Sequence, residues 1–441
     1  MVKETISFDR RVPVRYDVDV FVAGGGPAGV AAALAASRQG ARVFLAEGTS
    51  CFGGMGTAGL VPAFMCFSDG LHFLAAGIGE EIYQQLKRYA ELPIDDVSSS
   101  VSINVEALKR VYDDLMVASG AAFLFQTQVI GIESEGGHVS SAICAAKSGL
   151  FAVKARVFID ATGDGDLAVW AGAPYEKGDS QGNMMPGTLC SLWADIDWKA
   201  ANANPMRDDS QLAQAFADGV FTVHDRHLPG MWWVGKHTGG GNIGHTFGVD
   251  GTDETSLTQA LLGGRKALAE YETYYKKYLK GYEEMVLVAT GSMLGLRETR
   301  RIFGDTILCQ ADFLQRAVFE DEIGRYNYPV DIHASKPDQA AYAQFEEEFA
   351  RLRYQKGESY GIPYRILTPR GLDNVLVAGR CVSTDRSLQG SIRVMPGCYI
   401  TGQAAGVAAA IAVEKNTTTR GFAVQELQQR LKKTGAYLPN A

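Results

Sequence analysis

The sequence predicts an α/β protein: a doubly wound parallel sheet carrying a β-meander, with an α+β domain inserted into it. Three observations predict it. Residues 17–29, DVDVFVAGGGPAG, read as a buried strand that turns on glycines into a helix. Residues 121–160 change to strand periodicity, broken by EGG and KSG turn signals. Far downstream, LDNVLVAG at 372–379 and the small-residue run RVMPGCYITGQAAGVAAAIA repeat the strand-to-helix pattern and return the chain to its first unit.

Residues 1–16 read as a short N-terminal arm or edge strand. In the strand that follows, VFVA at 20–23 is wholly apolar, as a strand covered on both faces requires. Gly24, Gly26 and Gly29 then make the spacing G-x-G-x-x-G, and 30–39 (VAAALAASRQ) is a helix of small residues stopped by Gly40. A second buried strand, ARVFLAE at 41–47, ends in Glu47, 18 residues beyond Gly29. Each part has a mechanical reason. The first glycine allows the tight turn, the second admits a pyrophosphate to bare backbone, and the third lets helix and strand approach. The phosphate charge meets the helix N-terminus, and the acid accepts hydrogen bonds from a ribose. Strand, helix and acid together make this a Rossmann-like dinucleotide fingerprint and not a chance glycine turn.

After Glu47, GTSCFGGMGTAGLVPAFM has no helical period and reads as a loop laid along a ligand. Helices are predicted at 79–91 and 104–119, the second capped by Asn104 and stopped by Gly120. Strands are predicted at 123–129, 130–133, 139–146 and 151–160: a third parallel strand, then the meander. The last of them runs into FIDATGDGDLAVWAG, a Gly/Asp turn opening a helix. Residues 176–254 are irregular, and helical character returns at 255–280, 283–294 and 340–355. The expected organisation is an arm at 1–16, a discontinuous dinucleotide domain at 17–175 and 355–441, and a substrate or cap domain at 176–354.

The composition narrows the function classes. With 441 residues and 46% apolar content, the chain can bury a large core. A net charge of −8, without a Lys/Arg-rich tract, argues against nucleic acid as a partner. Seven scattered cysteines form no C-x-x-C and point to a reduced, cytoplasmic protein. The N-terminus lacks the apolar core of a signal peptide, and no run reaches the ~18 apolar residues of a membrane span. The expected partners are a small-molecule substrate and an electron donor or acceptor; a homo-oligomer is compatible.

Both NAD and FAD fit the fingerprint. Four glycine-rich loops far apart in sequence favour the longer ligand, FAD. The chain here resembles the FAD-dependent oxidoreductases of the glutathione-reductase-like superfamily, in particular the bacterial group related to fumarate-reductase-type flavoproteins and heterodisulfide-reductase flavin subunits. The resemblance is carried by GGGPAGVAAALAA (24–36), FGGMGTAGLV (52–61), FIDATGDGDLA (158–168), GLRETRRIFGD (295–305), IPYRILTPRGLDNVLVAGRCVSTDR (362–386) and SIRVMPGCYITGQAAGVAAA (391–410). It implies an FAD-binding domain of the glutathione-reductase type. By resemblance Gly24, Gly26, Pro27, Ala28 and Gly29 hold the pyrophosphate and Glu47 the ribose. Gly53, Gly54, Met55 and Thr57 lie along the diphosphate and ribityl chain. Val129 offers its backbone to adenine, and Ala161, Thr162, Gly163 and Asp164 pack near the adenosine or ribityl part. Gly379 and Arg380 belong to the last FAD strand, while Arg393, Val394 and Met395 approach the isoalloxazine ring.

The departures limit the chemistry. No C-x-x-x-x-C follows the first helix, since position 56 is glycine where Cys51 would need a partner. Neither iron–sulfur cysteine clusters nor a second G-x-G-x-x-G is present. The expected activity is that of a dehydrogenase or reductase moving a hydride between flavin N5 and a small organic substrate. The rivals are a flavin oxidase or monooxygenase and, from another class, a flavin-carrying RNA-modifying or RNA-binding protein. The helix opening near Met395 is expected to aim its positive end at the ring. Three residues are the catalytic candidates: His245, Arg297 and Arg393. Arg297, Arg300 and Arg301 fall on one face if LRETRRI is helical, where they grip an anion or pair with Glu298 and nearby acids. His237 and His245 are eight apart, which matches no zinc pattern, so no metal is expected. His224 and His227 read as surface residues, and Trp232 and Trp233 as pocket walls or core.

Overall fold

A computed structural model describes all residues except 1–3, 90–95, 204–208, 228–229, 339–341, 344–346 and 350. Its centre is a five-stranded, wholly parallel sheet in the order Val375–Val377, Val157–Asp160, Val20–Ala23, Val43–Ala46, Ala122–Leu124. The fingerprint strand lies in the middle, in register with its neighbours through Phe21 opposite Phe44 and Phe158. Four of the five strands are buried at every residue, which is why they read as unbroken apolar runs. Glycine helix Pro27–Arg38 covers one face and packs on the long helix Met395–Glu414, which the helix Val424–Lys433 follows. Their contact is very close, because a Cβ on Gly402 or Gly406 would lie 2.2 Å from the carbonyl oxygen of Ala28 or Ala32. Helix Met395–Glu414 is long and apolar enough to cross a membrane, yet 94% of its apolar stretch is buried against this core. No stripe is legible in its sequence because it has no exposed face.

The meander forms a second sheet from Gln128–Glu135, His138–Ala146 and Gly149–Lys154, and the arm strand Val14–Asp17 pairs in parallel with the last of these. The expected strand at 151–160 is therefore two strands in two sheets. It breaks after Lys154, and Val157–Asp160 enters the parallel sheet. The helices at Ile78–Tyr89 and Val105–Ser119 match expectation; the Asn104 side chain accepts from the Ala107 N–H, and Gly120 takes the left-handed conformation.

A four-stranded antiparallel sheet, ordered Met231–Gly235, Thr238–Gly241, Ser191–Ala194 and Val286–Thr290, is backed by the 25-residue helix Glu254–Tyr278. These elements share a separate apolar core drawn from Leu189 to Leu294. Residues 283–294 were expected to be helical; instead VLVAT at 286–290 is an edge strand, with Val286 and Val288 exposed. Its β-branched alternation outweighs the helical reading. The interval 176–354 is not a single cap, because Ile302, Phe313, Ile323, Tyr326 and Ile332 join the dinucleotide core. Arg300–Ile302 is likewise a short strand paired with Tyr175–Lys177, so Arg297, Arg300 and Arg301 share no helical face. Much of the helix expected at 340–355 lies outside the described residues.

Candidate functional site

The glycine turn after Val20–Ala23 is shaped by close contact. Gly24 has φ +91°, and a Cβ on Gly29 would sit 1.9 Å from the Gly24 carbonyl oxygen, so the third glycine is sterically required. A Cβ on Gly26 would meet nothing, and Gly26 caps the helix without any side-chain hydrogen bond. Pro27 occupies the first turn, where its missing N–H costs nothing. The helix thus presents uncapped N–H groups to open space, an anion-binding arrangement. Three other helices are capped by the side chains of Asn104, Asp253 and Asp385, whereas those after Gly165 and Ala423 are not. Helix Met395–Glu414 is also uncapped. Val394 caps it with no side chain, Pro396 is in its first turn, and Met395 begins it. Two uncapped helix ends and a glycine cradle fit a long dinucleotide, with the central diphosphate at one helix end and the redox ring at the other.

The other fingerprint residues converge on these ends. Glu47 is buried, its Oε2 accepting from Gly25 N–H at 2.6 Å and its Oε1 from Thr49 N–H at 2.7 Å. Gly53 donates its N–H to the Gly25 carbonyl at 2.8 Å, so the second glycine loop is tied to the first. Within that loop Gly54 stands over Gly26, and a Cβ on Gly56 would touch the Met395 sulfur at 2.7 Å. Thr57 is buried, its hydroxyl donating to the Phe52 carbonyl; the Val61 N–H donates to the Met55 carbonyl at 2.9 Å. Ala161 and Thr162 pass close to Gly24, and Gly379 faces Ala28. Val129 lies two residues past Thr127, whose N–H donates to the Glu47 carbonyl at 2.9 Å. Asp164 is bound by Arg380 and accepts from Thr299 Oγ1 at 2.7 Å. Arg380 also donates to the carbonyls of Gly163 and Leu296, so this pair fastens the ATGDGD turn to the segment after the cap. Asp160, fully buried at the end of its strand, accepts from Thr162 and Ala168; burial raises its carboxyl to about 6.

Next to Met395 lies a buried charged cluster. Arg393 donates from Nη2 to the Asp331 carboxylate at 2.9 Å and to its carbonyl at 3.1 Å. Asp331 Oδ1 is 3.3 Å from His333 Nε2, and His333 Nδ1 is 3.0 Å from His245 Nε2. His245 Nδ1 is 3.0 Å from Asp225 Oδ2, outside hydrogen-bond alignment. His227 stacks on His245 with ring centres 4.7 Å apart. Burial depresses all three imidazoles, His227 to about 4. Burial works to raise the Asp331 carboxyl, but His333, Arg393 and Arg297 overcome it and hold it low. Arg297 itself is buried. It donates to the Pro186 carbonyl and the Thr188 hydroxyl, both at 2.9 Å, and to Asn242 Oδ1 at 3.4 Å. Burial, then the neighbouring Arg393 charge, lower it to about 10. Among the described residues no carboxylate lies in ion-pair contact with it. Arg300 and Arg301 do have acids: Asp166 for the first, Glu298 and Glu176 for the second.

His227 is thus a cluster member and not a surface residue, whereas His224 and His237 are exposed. Trp232 and Trp233 stand on the edge strand of the cap sheet, with Trp233 39% exposed. His333, Asp225 and Asp331 are new. Their sequence signal is a repeated Asp-x-His triplet, DRH at 225–227 and DIH at 331–333. Two cavities adjoin the site. One of about 550 Å³ lies between the glycine loop (Thr57, Ala58, Leu60) and the cap sheet (Leu192, Val234, Ala289). The other, about 390 Å³, is lined by Asp225, His245, Thr246 and Tyr271, and it reaches the charged cluster.

Residues 19–431 match the family described as FAD dependent oxidoreductase. No curated protein matches the chain. Among solved structures, it is similar to a geranylgeranyl bacteriochlorophyll reductase-like protein from Thermoplasma acidophilum at 14% identity and a TM-score of 0.46. That match covers 96% of this chain and 84% of the other. It is also similar to p-nitrophenol 4-monooxygenase from Pseudomonas putida at 12% identity and a TM-score of 0.47, covering 95% and 86%.

Proposed function

The chain belongs to the FAD-dependent oxidoreductase family, and from that premise we propose that it is a dehydrogenase or reductase acting on a small organic anion. FAD is its cofactor, and when bound it supplies the hydride chemistry. The single observation carrying the substrate class is Arg297, a buried guanidinium with no acid in ion-pair contact among the described residues. A charge buried in this way is costly unless an anion answers it. The substrate carboxylate or oxyanion is that anion. The carbonyl of Pro186 and the hydroxyl of Thr188 fix the guanidinium through Nη1, and Nη2, whose contact with Asn242 Oδ1 is long at 3.4 Å, is the group assigned to the anion.

The chain's other residues bind and orient. Gly24, Gly26 and Gly29 shape the pyrophosphate cradle, and Glu47 holds the ribose while bracing the turn through Gly25 and Thr49. Val394 and Met395 open the uncapped helix whose positive end favours negative charge on its ligand. Arg393 adds a cation there, moderated by Asp331. Just past the cap-sheet strand Val286–Thr290, the Ser292 N–H donates to the Ala58 carbonyl at 2.8 Å and ties the cap to the glycine loop. His245 lines the smaller cavity. The reading further takes the FAD domain as glutathione-reductase type, the residues 189–296 as the substrate cap, and a separate electron donor or acceptor as the second partner. A cytoplasmic setting and a homo-oligomer complete it; the seven free cysteines support the reduced compartment.

Anaerobic mixing of holoprotein with a panel of 2-hydroxy acids, 2-amino acids, unsaturated carboxylates and their neutral esters or amides tests the proposal. Bleaching or reoxidation of the flavin band by carboxylates, but not by their neutral analogues, is expected. Equal response to the neutral analogues overturns the anionic class.

A further inference from the structure

We propose that His227, His245 and His333 bind one divalent transition-metal ion, leaving a coordination position for water or an anionic ligand. One ring nitrogen from each imidazole lies within 4.8 Å of the other two. Imidazole nitrogens about 2.0–2.1 Å from a tetrahedral zinc are about 3.4 Å from each other, so metal binding requires the triad to contract and the His227 ring to turn out of its 12° stack on His245. The shortest separation, His245 Nε2 to His333 Nδ1, is already 3.0 Å.

The distribution of protons points to a cation. Asp225 Oδ2 faces His245 Nδ1 at 3.0 Å, and Asp331 Oδ1 faces His333 Nε2 at 3.3 Å. A carboxylate beside each of those nitrogens favours the tautomer with its hydrogen there, which frees the other ring nitrogen to ligate. In the neutral rings the remaining nitrogens then turn two lone pairs toward one another at 3.0 Å. A metal ion between them answers both lone pairs at once; the metal-free alternative is an N–H···N hydrogen bond from one ring to the other. A shared proton would involve two rings. The third imidazole, His227, is stacked on His245 and set edgewise to His333, with ring centres 4.7 and 4.6 Å away. It gives the arrangement three nitrogen donors, the number of protein ligands found in catalytic zinc sites.

The outer shell agrees. Metal-bound histidines characteristically set their second ring nitrogen against a carboxylate, and two of these three do. Asp225 is itself fixed, its Oδ1 accepting from the His227 N–H at 2.9 Å and the Tyr342 hydroxyl at 2.5 Å. Three loops from distant parts of the chain bring these groups together, two of them through the same Asp-x-His triplet. Imidazole donors suit zinc, iron(II), cobalt(II) or nickel(II). Facing the cluster are two carboxylates, Asp225 and Asp331, and two guanidiniums, Arg297 and Arg393. A divalent ion therefore leaves positive charge in excess, which an anion at the open position offsets. The cavity lined by Asp225 and His245 gives that anion a route in.

The test uses FAD-loaded protein treated with a chelator, desalted, and titrated with cobalt(II) chloride alone. Metal content after desalting and the electron paramagnetic resonance of high-spin cobalt beside oxidised flavin are the readouts. One cobalt per chain is expected. His227→Ala, at a half-buried position, should weaken binding about a hundredfold, and Asp225→Asn roughly ten- to a hundredfold, both with the flavin spectrum retained. His333→Ala should abolish retention. Failure of the wild-type holoprotein to keep cobalt, or equal retention by flavin-loaded His227→Ala and Asp225→Asn variants, overturns the proposal and leaves the flavin assignment standing.

Discussion

Replacing Glu47 by glutamine removes one charge and almost no volume, and its cost follows from two bonds. The carboxylate accepts from Gly25 N–H at 2.6 Å and from Thr49 N–H at 2.7 Å, one on each oxygen. Glutamine has one acceptor oxygen and one NH2, so it can satisfy only one of these donors and turns donors toward the other. Loss of a hydrogen bond to a charged acceptor costs about 1.5–3 kcal/mol, and more where the orphaned group is buried. Gly25 lies inside the fingerprint turn, so the penalty falls on the conformation that meets the pyrophosphate. The same side chain then offers the ribose a weaker acceptor. A loss of FAD affinity of roughly ten- to several-hundredfold is expected. Titration of apoprotein with FAD, followed by fluorescence quenching, measures affinity; urea unfolding of the apoprotein measures the turn. A Glu47→Gln protein with unchanged FAD affinity and an unchanged unfolding midpoint would refute the bracing role.

Burial raises the fully buried Asp160 carboxyl from 3.8 to about 6; the folded state then binds the proton more tightly, and this contribution to stability is lost as pH rises from about 4 to 6. Asp160→Asn should flatten that pH dependence, worth ~3 kcal/mol at most, in urea melts taken across this range. Arg393→Met leaves the Asp331 carboxylate unanswered beside the helix opening, so spectroelectrochemistry should show the flavin potential lowered by about 30 mV or more. Adding Asp331→Asn should return the potential toward the wild-type value. Gly406→Ala places a methyl group 2.2 Å from the Ala32 carbonyl oxygen, and prising the two central helices apart should cost about 1–3 kcal/mol in thermal or urea unfolding.

Legibility in the sequence followed the range of the forces involved. The fingerprint strand, Glu47 and the glycine helix were readable because burial on both faces leaves an unbroken apolar run, and because steric limits at Gly24 and Gly29 act within a few residues. Asn104 and Gly120 were readable for the same local reason. The strand at Val286–Thr290 was misread as helix because it is an edge strand, whose exposed Val286 and Val288 weaken the alternation. The helical spacing that singles out Arg297 in the sequence does not exist; Arg297 sits in a bend before the strand Arg300–Ile302, and what distinguishes it is burial with no acid in contact among the described residues. The histidine triad joins positions 227, 245 and 333, so no spacing rule applied to neighbours can assemble it. Only the repeated Asp-x-His triplet hinted at it.

The central claim is that Arg297 receives the substrate's anionic group in an FAD-dependent dehydrogenase or reductase. Stopped-flow reduction of the flavin by an active carboxylate tests this most directly, comparing wild type with Arg297→Met under anaerobic conditions. Removing a charge-assisted hydrogen bond to the anion should raise the half-saturating concentration roughly ten- to a hundredfold or more. The variant should keep its flavin spectrum, and its discrimination against the neutral ester should collapse. An unchanged half-saturating concentration with undiminished preference for the carboxylate would contradict the claim and make Arg297 a structural residue of the cap.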